Sequence, residues 1–272
     1  MALIGVFDSG VGGLSILDEA LRQLPHHDYL YFADSANAPY GERSPEWIAQ
    51  RSLSICQSLA DAGCQAIVVA CNTATAEAIQ HIRATLQTIP IIGVEPGIKP
   101  AALQSQKGLV GVLATEATLK SDKFNALLGT LPGDCRFVKQ AGAGLVPLIE
   151  SGQLHAPETT ALLAQHLQPM RTAGIDTLVL GCTHYPFLMP LILNLLGSSV
   201  LIVDTSQAVV RQLARQLEAH RIPSEVVGKR SLLLLSTADG ARLHSMAMQL
   251  LRSDLAQFHI EFKTVDPERA GL

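Results

Sequence analysis

Three strand-like segments in the first part of the chain return in the same order in the second part. The matched pairs are IGVFDSG (Ile4–Gly10) with VGVLATE (Val110–Glu116), AIVVACNTATAEAI (Ala66–Ile79) with TLVLGCTHYPFLMPLI (Thr177–Ile192), and IIGVEP (Ile91–Pro96) with VLIVDTS (Val200–Ser206). Cys71 and Cys182 lie 111 positions apart, and Glu95 and Asp204 lie 109 positions apart. Because three landmarks keep their order at nearly one spacing, we predict a duplicated α/β unit.

Short apolar runs alternate with amphipathic stretches along the whole chain. The predicted strands are Leu3–Asp8, Tyr29–Ala33, Ala66–Cys71, Ile91–Glu95, Leu109–Thr115, Cys135–Gln140, Thr177–Cys182, Val200–Asp204 and Leu232–Ser236, and helical stretches include Pro45–Ala62, Pro157–Ala173 and Gln207–His220. This alternation predicts an α/β fold with mainly parallel sheets flanked by helices. We expect two similar domains related by a pseudo-twofold axis, residues 1–98 plus 208–272 and residues 99–207, with the active site in the cleft between them.

Composition excludes several functional classes. The net charge of −4 gives no support for a nucleic-acid-binding surface. No apolar run approaches the ~18 residues of a membrane span, and the start, MALIGVFDSG, reads as a strand and not as a signal peptide. We therefore expect a cytoplasmic protein. The five cysteines are an odd number without CxxC spacing, so neither a disulfide framework nor a zinc site is predicted.

Cys71 and Cys182 both stand where a predicted strand ends. In open α/β sheets, ligands bind beyond the carboxyl ends of the strands. We expect Asn72 with Thr73 to supply a helix N-cap after Cys71. A helix N-terminus stabilises a thiolate and also binds a carboxylate ligand.

A helix is likewise expected after Cys182, opened by Thr183 and Pro186. Two thiols at duplicate positions fit a reaction in which one base removes a proton from carbon and the other returns a proton to the opposite face. Such a pair inverts the carbon centre.

Polar residues near the two thiols are candidates for assisting roles. Asp8, with Ser9 at another strand end, is expected to assist Cys71 or to bind an ammonium group, and Glu150 is a candidate partner of His184. The turn APYG offers the hydroxyl of Tyr40 and the backbone of Gly41 as ligand contacts. The glycine-rich DSGVGG lacks the lysine of a phosphate-binding loop, so no nucleotide site is expected there. No role beyond packing is predicted for Cys56, Cys64 and Cys135.

Seven motifs in order closely resemble those of the bacterial glutamate racemases, within the aspartate/glutamate racemase family. They are GVFDSGVGGLSIL, DSANAPYGERS, VACNTATA, GVEPGIKPA, GVLATEAT, LGCTHYPFL and VDTSQAVV. The resemblance runs from Ile4 to about Leu251 and includes STADGARLHSMAMQLL near the end. Related aspartate racemases usually carry Thr-Glu after the second cysteine, so Thr183-His184 favours glutamate.

The resemblance implies a cofactor-independent racemase that interconverts L- and D-glutamate, with D-glutamate going into peptidoglycan. It implies that Cys71 deprotonates D-glutamate and Cys182 deprotonates L-glutamate. Asp8 would assist Cys71, and His184, through Glu150, would assist Cys182. The residues implied to line the substrate are Asp8, Ser9, Tyr40, Gly41, Asn72, Thr73, Thr115, Thr118, Thr183 and His184. A homodimer is also implied.

Two other functions stay open at this point. A two-domain amino-acid-binding protein would close on its ligand without chemistry, but the paired thiols argue against it. A single-thiol hydrolase would use Cys182 with His184 as nucleophile and base. It differs from the racemase in predicting that Cys71→Ser retains activity.

Overall fold

The computed structural model describes residues 2–131, 135–222 and 229–268. The chain divides into two compact units, which we call unit 1 (Met1–Val94 with Ser206–Leu272) and unit 2 (Glu95–Thr205). The domain limits expected from the sequence, 1–98 plus 208–272 and 99–207, stay a prediction, because a division into compact units does not by itself define a domain.

The described residues form ten strands and eleven α-helices. The strands are β1 (Leu3–Asp8), β2 (Asp28–Ala33), β3 (Ala66–Val69), β4 (Ile91–Gly93), β5 (Leu109–Ala114), β6 (Arg136–Ala141), β7 (Thr177–Gly181), β8 (Leu201–Val203), β9 (Arg230–Ser236) and β10 (Phe258–Thr264). The helices are α1 (Leu14–Gln23), α2 (Pro45–Asp61), α3 (Asn72–Thr85), α4 (Ile98–Gln104), α5 (Glu116–Lys120), α6 (Asp122–Gly129), α7 (Leu145–Glu150), α8 (Pro157–Ala173), α9 (Met189–Leu196), α10 (Ser206–Ala219) and α11 (Gly240–Leu250). Short 3₁₀ turns span Ser35–Asn37, Tyr40–Glu42 and Tyr185–Leu188.

Unit 1 is built on a six-stranded sheet in the order β10-β9-β2-β1-β3-β4. Every neighbouring pair is parallel. The central strands β1 and β3 are almost wholly buried, as expected for strands covered by helices on both faces. α2 begins where Ser44 accepts a hydrogen bond from the Trp47 N–H and Pro45 occupies the first helical turn.

Unit 2 is built on a four-stranded parallel sheet in the order β6-β5-β7-β8. Its order repeats the order β2-β1-β3-β4 found in unit 1. The three pairs of segments matched in the sequence therefore occupy equal places: β1 and β5, β3 and β7, and β4 and β8. The predicted α/β class with parallel sheets is confirmed.

The sequence prediction missed β10, which pairs with β9 at the edge of the unit 1 sheet. Its residues, FHIEFKT, are mostly exposed. Apolar and polar residues alternate there, which is typical of a half-exposed strand, and this alternation is the signal that could have found β10.

Parallel strands bring their carboxyl ends to one edge of each sheet. In unit 1, β1 pairs Phe7 with Val69 of β3 and Asp8 with Ala33 of β2. The residues that follow these strands are therefore neighbours. In unit 2, β5 pairs Ala114 with Gly181 of β7, so the residues after these two strands are also neighbours.

Candidate active site

Cys71 is held between the end of β3 and the start of α3. It is 6% exposed, and its Sγ accepts a hydrogen bond from the Ala74 N–H at 3.5 Å. Cys71 itself is therefore the N-cap of α3, and the prediction that Asn72 and Thr73 supply the cap is wrong. The helix begins at Asn72, so the thiol takes the place that a serine hydroxyl usually occupies. A thiolate here lies at the positive end of a 14-residue helix.

Ser9 reaches Cys71 from the neighbouring strand end. Its Oγ lies 3.5 Å from the Cys71 Sγ. Asp8 is fully buried at the end of β1, and its Oδ1 accepts a hydrogen bond from the Gly10 N–H at 2.8 Å. The structure thus brings Asp8, Ser9 and Cys71 to one edge of the unit 1 sheet.

The glycine-rich segment after Asp8 serves close packing. A Cβ on Gly13 would lie 2.7 Å from the Asp8 Cβ and 3.0 Å from both the Ala70 Cβ and the Tyr31 hydroxyl. Real Cβ atoms do not approach this closely, so only glycine lets α1 begin against Asp8. The Tyr31 hydroxyl also donates to the Gly10 carbonyl at 2.7 Å.

Asn72 and Thr73 are buried in the first turn of α3. Among the described residues, the Asn72 side-chain nitrogen is buried without a hydrogen-bond partner, although the residue is only 4% exposed. A buried amide donor without an acceptor costs free energy. Its position beside Cys71 makes it a candidate donor to a ligand.

Tyr40 and Gly41 form the 3₁₀ turn Tyr40–Glu42. The Tyr40 side chain is 1% exposed, and its hydroxyl donates to Oδ2 of Asp34 at 2.6 Å. Burial and the Asp34 carboxylate hold the pKa of Tyr40 well above its usual value. The hydroxyl suggested as a ligand contact is therefore engaged inside the protein.

Cys182 follows β7 and is 7% exposed. Its Sγ lies 3.7 Å from Nδ1 of His184, and Nε2 of His184 lies 2.6 Å from Oε1 of Glu150. Glu150 is the last residue of α7, so the structure brings together all three residues that the sequence linked.

His184 is a buried ring with a polar partner at each of its two nitrogens. Burial of the ring favours its neutral form, but the hydrogen bonds and charges of Cys182 and Glu150 outweigh this and raise the pKa of His184 well above its ordinary value. An imidazolium beside Cys182 stabilises its thiolate. The two thiols thus have different electrostatic support: a helix N-terminus at Cys71 and a cation at Cys182.

The segment after Cys182 differs from the prediction that Thr183 and Pro186 open a helix. A 3₁₀ turn, Tyr185–Leu188, comes first, and α9 begins only at Met189. Prolines in the first turn of each element remove N–H donors. Thr183 is 6% exposed beside the thiol.

Thr115 and Thr118 lie next to the Cys182 strand end. Thr115 caps α5, accepts from the Thr118 N–H at 3.2 Å and lies 2.9 Å from the Thr118 hydroxyl. Because β5 is the neighbour of β7, both threonines share the sheet edge with Cys182 and Thr183. The substrate-contact roles of all these residues stay predictions.

Sequence reasoning missed three polar residues of these edges. Asp34 directly follows β2, much as Asp8 is the last residue of β1. Nη2 of Arg51, in α2, pairs with Oδ1 of Asp34 at 2.7 Å. Tyr185 is fully buried, and its hydroxyl donates to the Gly142 carbonyl at 3.3 Å. An acidic residue directly after a buried strand was the one available signal, in FADSAN.

The remaining cysteines have other settings. Burial raises the pKa of Cys64 to about 12 and also raises that of Cys56, so both stay protonated in an apolar cluster. Cys135 is partly exposed, and burial and Asp176 raise its pKa. Within the described ranges, no group of three His, Cys, Asp or Glu side chains is arranged to hold a metal ion. No helix there is long and apolar enough to cross a membrane.

The chain is similar to known proteins along most of its length. Residues 4–227 match the family model of the Asp/Glu/Hydantoin racemases. The glutamate racemase of Ralstonia nicotianae is 52% identical over 250 residues, which are 92% of this chain and 90% of that protein.

Solved structures of glutamate racemases share the fold. Isoform RacE1 of Bacillus anthracis matches with a TM-score of 0.85 and 31% identity, over 97% of both chains. The Escherichia coli glutamate racemase, in complex with L-glutamate and the activator UDP-MurNAc-Ala, matches with a TM-score of 0.84 and 29% identity, over 97% of this chain and 99% of that one. With duplicated strand ends that each carry a thiol, and with these matches along nearly its whole length, the chain belongs to the Asp/Glu/Hydantoin racemase family.

Proposed function

We propose that this protein is a cofactor-independent glutamate racemase in which Cys71 and Cys182 are the two catalytic bases. The observation that carries the proposal is the placement of each thiol at the carboxyl end of an interior strand of its own sheet, β3 or β7, with polar support of its own. The glutamate substrate is supported by the relative with 52% identity that is named a glutamate racemase.

The proton balance of the proposed reaction is simple. With L-glutamate, the Cys182 thiolate removes the α-proton, so a C–H bond breaks and an S–H bond forms. The Cys71 thiol then gives its proton to the opposite face of the α-carbon, which forms D-glutamate and leaves a Cys71 thiolate. D-glutamate reacts by the same steps in reverse, with Cys71 as the base.

Neighbouring residues support each step. The His184 imidazolium, itself paired with Glu150, stabilises the Cys182 thiolate, and the start of α3 with the Ser9 hydroxyl stabilises the Cys71 thiolate. The buried Asn72 amide supplies a donor for a substrate oxygen. Asp8, Tyr40, Gly41, Thr73, Thr115, Thr118 and Thr183 complete the proposed set of substrate contacts.

Isotope exchange tests the proposal. In D2O, wild-type protein without pyridoxal phosphate or metal is expected to place deuterium at the α-carbon of glutamate and to form the other enantiomer. Binding without exchange would contradict the racemase and favour a binding protein. We expect Cys71→Ser and Cys182→Ser each to abolish racemisation, and near-normal racemisation in either variant would contradict the two-base assignment. A hydrolytic activity that Cys71→Ser retains would favour a single-thiol hydrolase.

The same variants test the assignment of faces. Cys71→Ser keeps only the base proposed for L-glutamate, so residual exchange should occur with L-glutamate and retain its configuration. Cys182→Ser should show the opposite preference. Exchange with the wrong enantiomer in both variants would reverse the assignment.

We also propose that the D-glutamate formed supplies peptidoglycan synthesis in the cytoplasm, and that the protein is a homodimer. The five free thiols support a reducing compartment. The dimer rests on the resemblance, and sedimentation tests it: a mass of about twice the 29.0 kDa of one chain is expected, and 29.0 kDa at all concentrations would contradict it.

A further inference from the structure

Asp34 is a buried carboxylate that gathers donors from four segments of unit 1. It is fully buried directly after β2, and its backbone N–H donates to the Asp8 carbonyl at 3.0 Å. Arg51 of α2 donates to both carboxylate oxygens, from Nε at 2.8 Å and Nη2 at 2.7 Å. The Asn37 amide donates at 3.1 Å, and the Thr237 hydroxyl, beyond β9, donates at 3.0 Å.

A carboxylate is buried only where its charge is compensated. Burial alone would raise the pKa of Asp34, but the hydrogen bonds from Arg51 and Tyr40 and the charge of Arg51 outweigh it and lower the pKa. Arg51 and Tyr40 are the titratable groups that contact the carboxylate, and the Cys71 thiol also acts electrostatically on Tyr40. The Asp34 carboxylate is therefore ionised at neutral pH, and its charge is balanced by the Arg51 guanidinium.

The remaining donor, Tyr40, belongs to the turn Tyr40–Glu42. Its hydroxyl reaches Asp34 at 2.6 Å, and its ring packs against Phe7 at 6.2 Å and edge-on against Trp47 at 5.3 Å between centroids. Tyr40 shares a buried cluster with Cys71, and the turn packs against α3. Because every part of this side chain is used inside unit 1, a substrate contact by Tyr40 and Gly41 must come from their main chain.

We propose that Asp34 and Arg51 are positioning residues, which hold the Tyr40–Gly41 main chain in its substrate-binding place beside Cys71. This rests on the proposed function, in which Tyr40 and Gly41 contact glutamate. Neither Asp34 nor Arg51 touches the reacting atoms. They act through the Tyr40 hydroxyl, which fixes the turn against the edge of the sheet.

Arg51→Met tests the proposal because it removes the charge and keeps much of the side-chain volume. We expect the KM for both glutamate enantiomers to rise about tenfold, because the displaced turn loses about one charged hydrogen bond to the substrate. The kcat should change much less. The unpaired Asp34 then has a higher pKa. Its charged form disrupts the turn, so KM in Arg51→Met should rise further with increasing pH, whereas the wild-type KM should not follow this dependence.

Further variants separate positioning from general destabilisation. Arg51→Lys keeps the charge and should give an intermediate KM without the added pH dependence, which keeps the test valid if Arg51→Met does not fold. The double variant Asp34→Asn with Arg51→Met has no charge to leave unpaired and should recover part of the loss. Arg22→Met removes an arginine from an exposed ion pair with Glu19 and should leave KM unchanged.

Trp47 gives a readout that is independent of racemisation. It is the one tryptophan of the sequence and lies against Tyr40. Acrylamide should quench the Trp47 fluorescence more strongly in Arg51→Met than in the wild type, and this difference should grow as pH rises. If folded Arg51→Met shows the wild-type Trp47 quenching and the wild-type KM, the positioning role is overturned. If the wild-type protein does not racemise glutamate but Arg51→Met still alters Trp47 quenching, only the proposed function is overturned.

Discussion

Glu150→Gln removes one negative charge from the chain that links Glu150, His184 and Cys182, and it preserves the size of the side chain. Glu150 accepts at 2.6 Å from a buried ring, with the two side chains 18% and 3% exposed. A hydrogen bond to a charged group in such a place contributes about 1.5–3 kcal/mol. The imidazolium loses this support in the variant, and so does the Cys182 thiolate that it stabilises.

The expected loss in rate follows from this free energy. Since each 1.36 kcal/mol is tenfold in rate, kcat/KM should fall about 10- to 100-fold. The thiolate–imidazolium pair and the uncharged thiol–imidazole pair hold the same number of protons. A change in pH therefore cannot restore the charged pair, and the loss should persist at lower pH.

Circular dichroism or a coupled assay measures racemisation in both directions. Because enantiomers have equal free energies, the two directions must share one kcat/KM, so the assays check each other. Glu158→Gln, at an exposed position in the first turn of α8, is the matched control and should behave as the wild type. A kcat/KM of Glu150→Gln equal to that of this control would refute the role of Glu150.

Three other predictions concern packing, thiol chemistry and pH. Gly13→Ala should destabilise the protein by about 1–3 kcal/mol in urea unfolding because its Cβ meets Asp8 and Ala70, whereas Gly129→Ala, with open space around it, should change little. Burial raises the pKa of Cys64 to about 12, so iodoacetamide at pH 8 should leave Cys64 unmodified in the native protein and modify it once urea unfolds the chain, as read by mass spectrometry. Modification of native Cys64 would contradict its protonated, buried state. Asp34 has a lowered pKa, so its stabilising effect is complete above the unfolded-state pKa of 3.8 and is lost as pH falls through the folded-state value. The unfolding free energy should therefore fall at acid pH, and the fall should be smaller in Arg51→Met.

The parallel sheets and the pair of thiols could be predicted because their signals are local. Buried strands such as β1 and β3 are continuous apolar runs, and a cysteine at each strand end is visible in the letters themselves. The sequence predicts a cap at Asn72 and Thr73 because thiols are rare caps, and only the backbone shows that Cys71 is the cap and that the helix begins at Asn72.

The Asp34 network could not be predicted for a different reason. Its members, Asp34, Tyr40, Arg51 and Thr237, come from distant parts of the chain, and the hydrogen bond between Asp34 and Thr237 joins residues 203 positions apart. Nothing in the sequence near position 237 indicates that its hydroxyl meets a carboxylate of the first fifty residues. The edge strand β10, by contrast, has a local signal in the sequence, the alternation of apolar and polar residues in FHIEFKT.

The discontinuity of unit 1 has a consequence during synthesis. β2 takes β9 as its neighbour, and the Asp28 carboxylate accepts from the Ser231 N–H across 203 positions. At a translation rate of about 10 residues per second, β2 waits about 20 s for this partner. Unit 2, a single continuous segment, is made completely during that interval. The nascent chain therefore carries an open strand edge at β2 while its second sheet is already able to form, and this edge can pair with another chain until β9 is made.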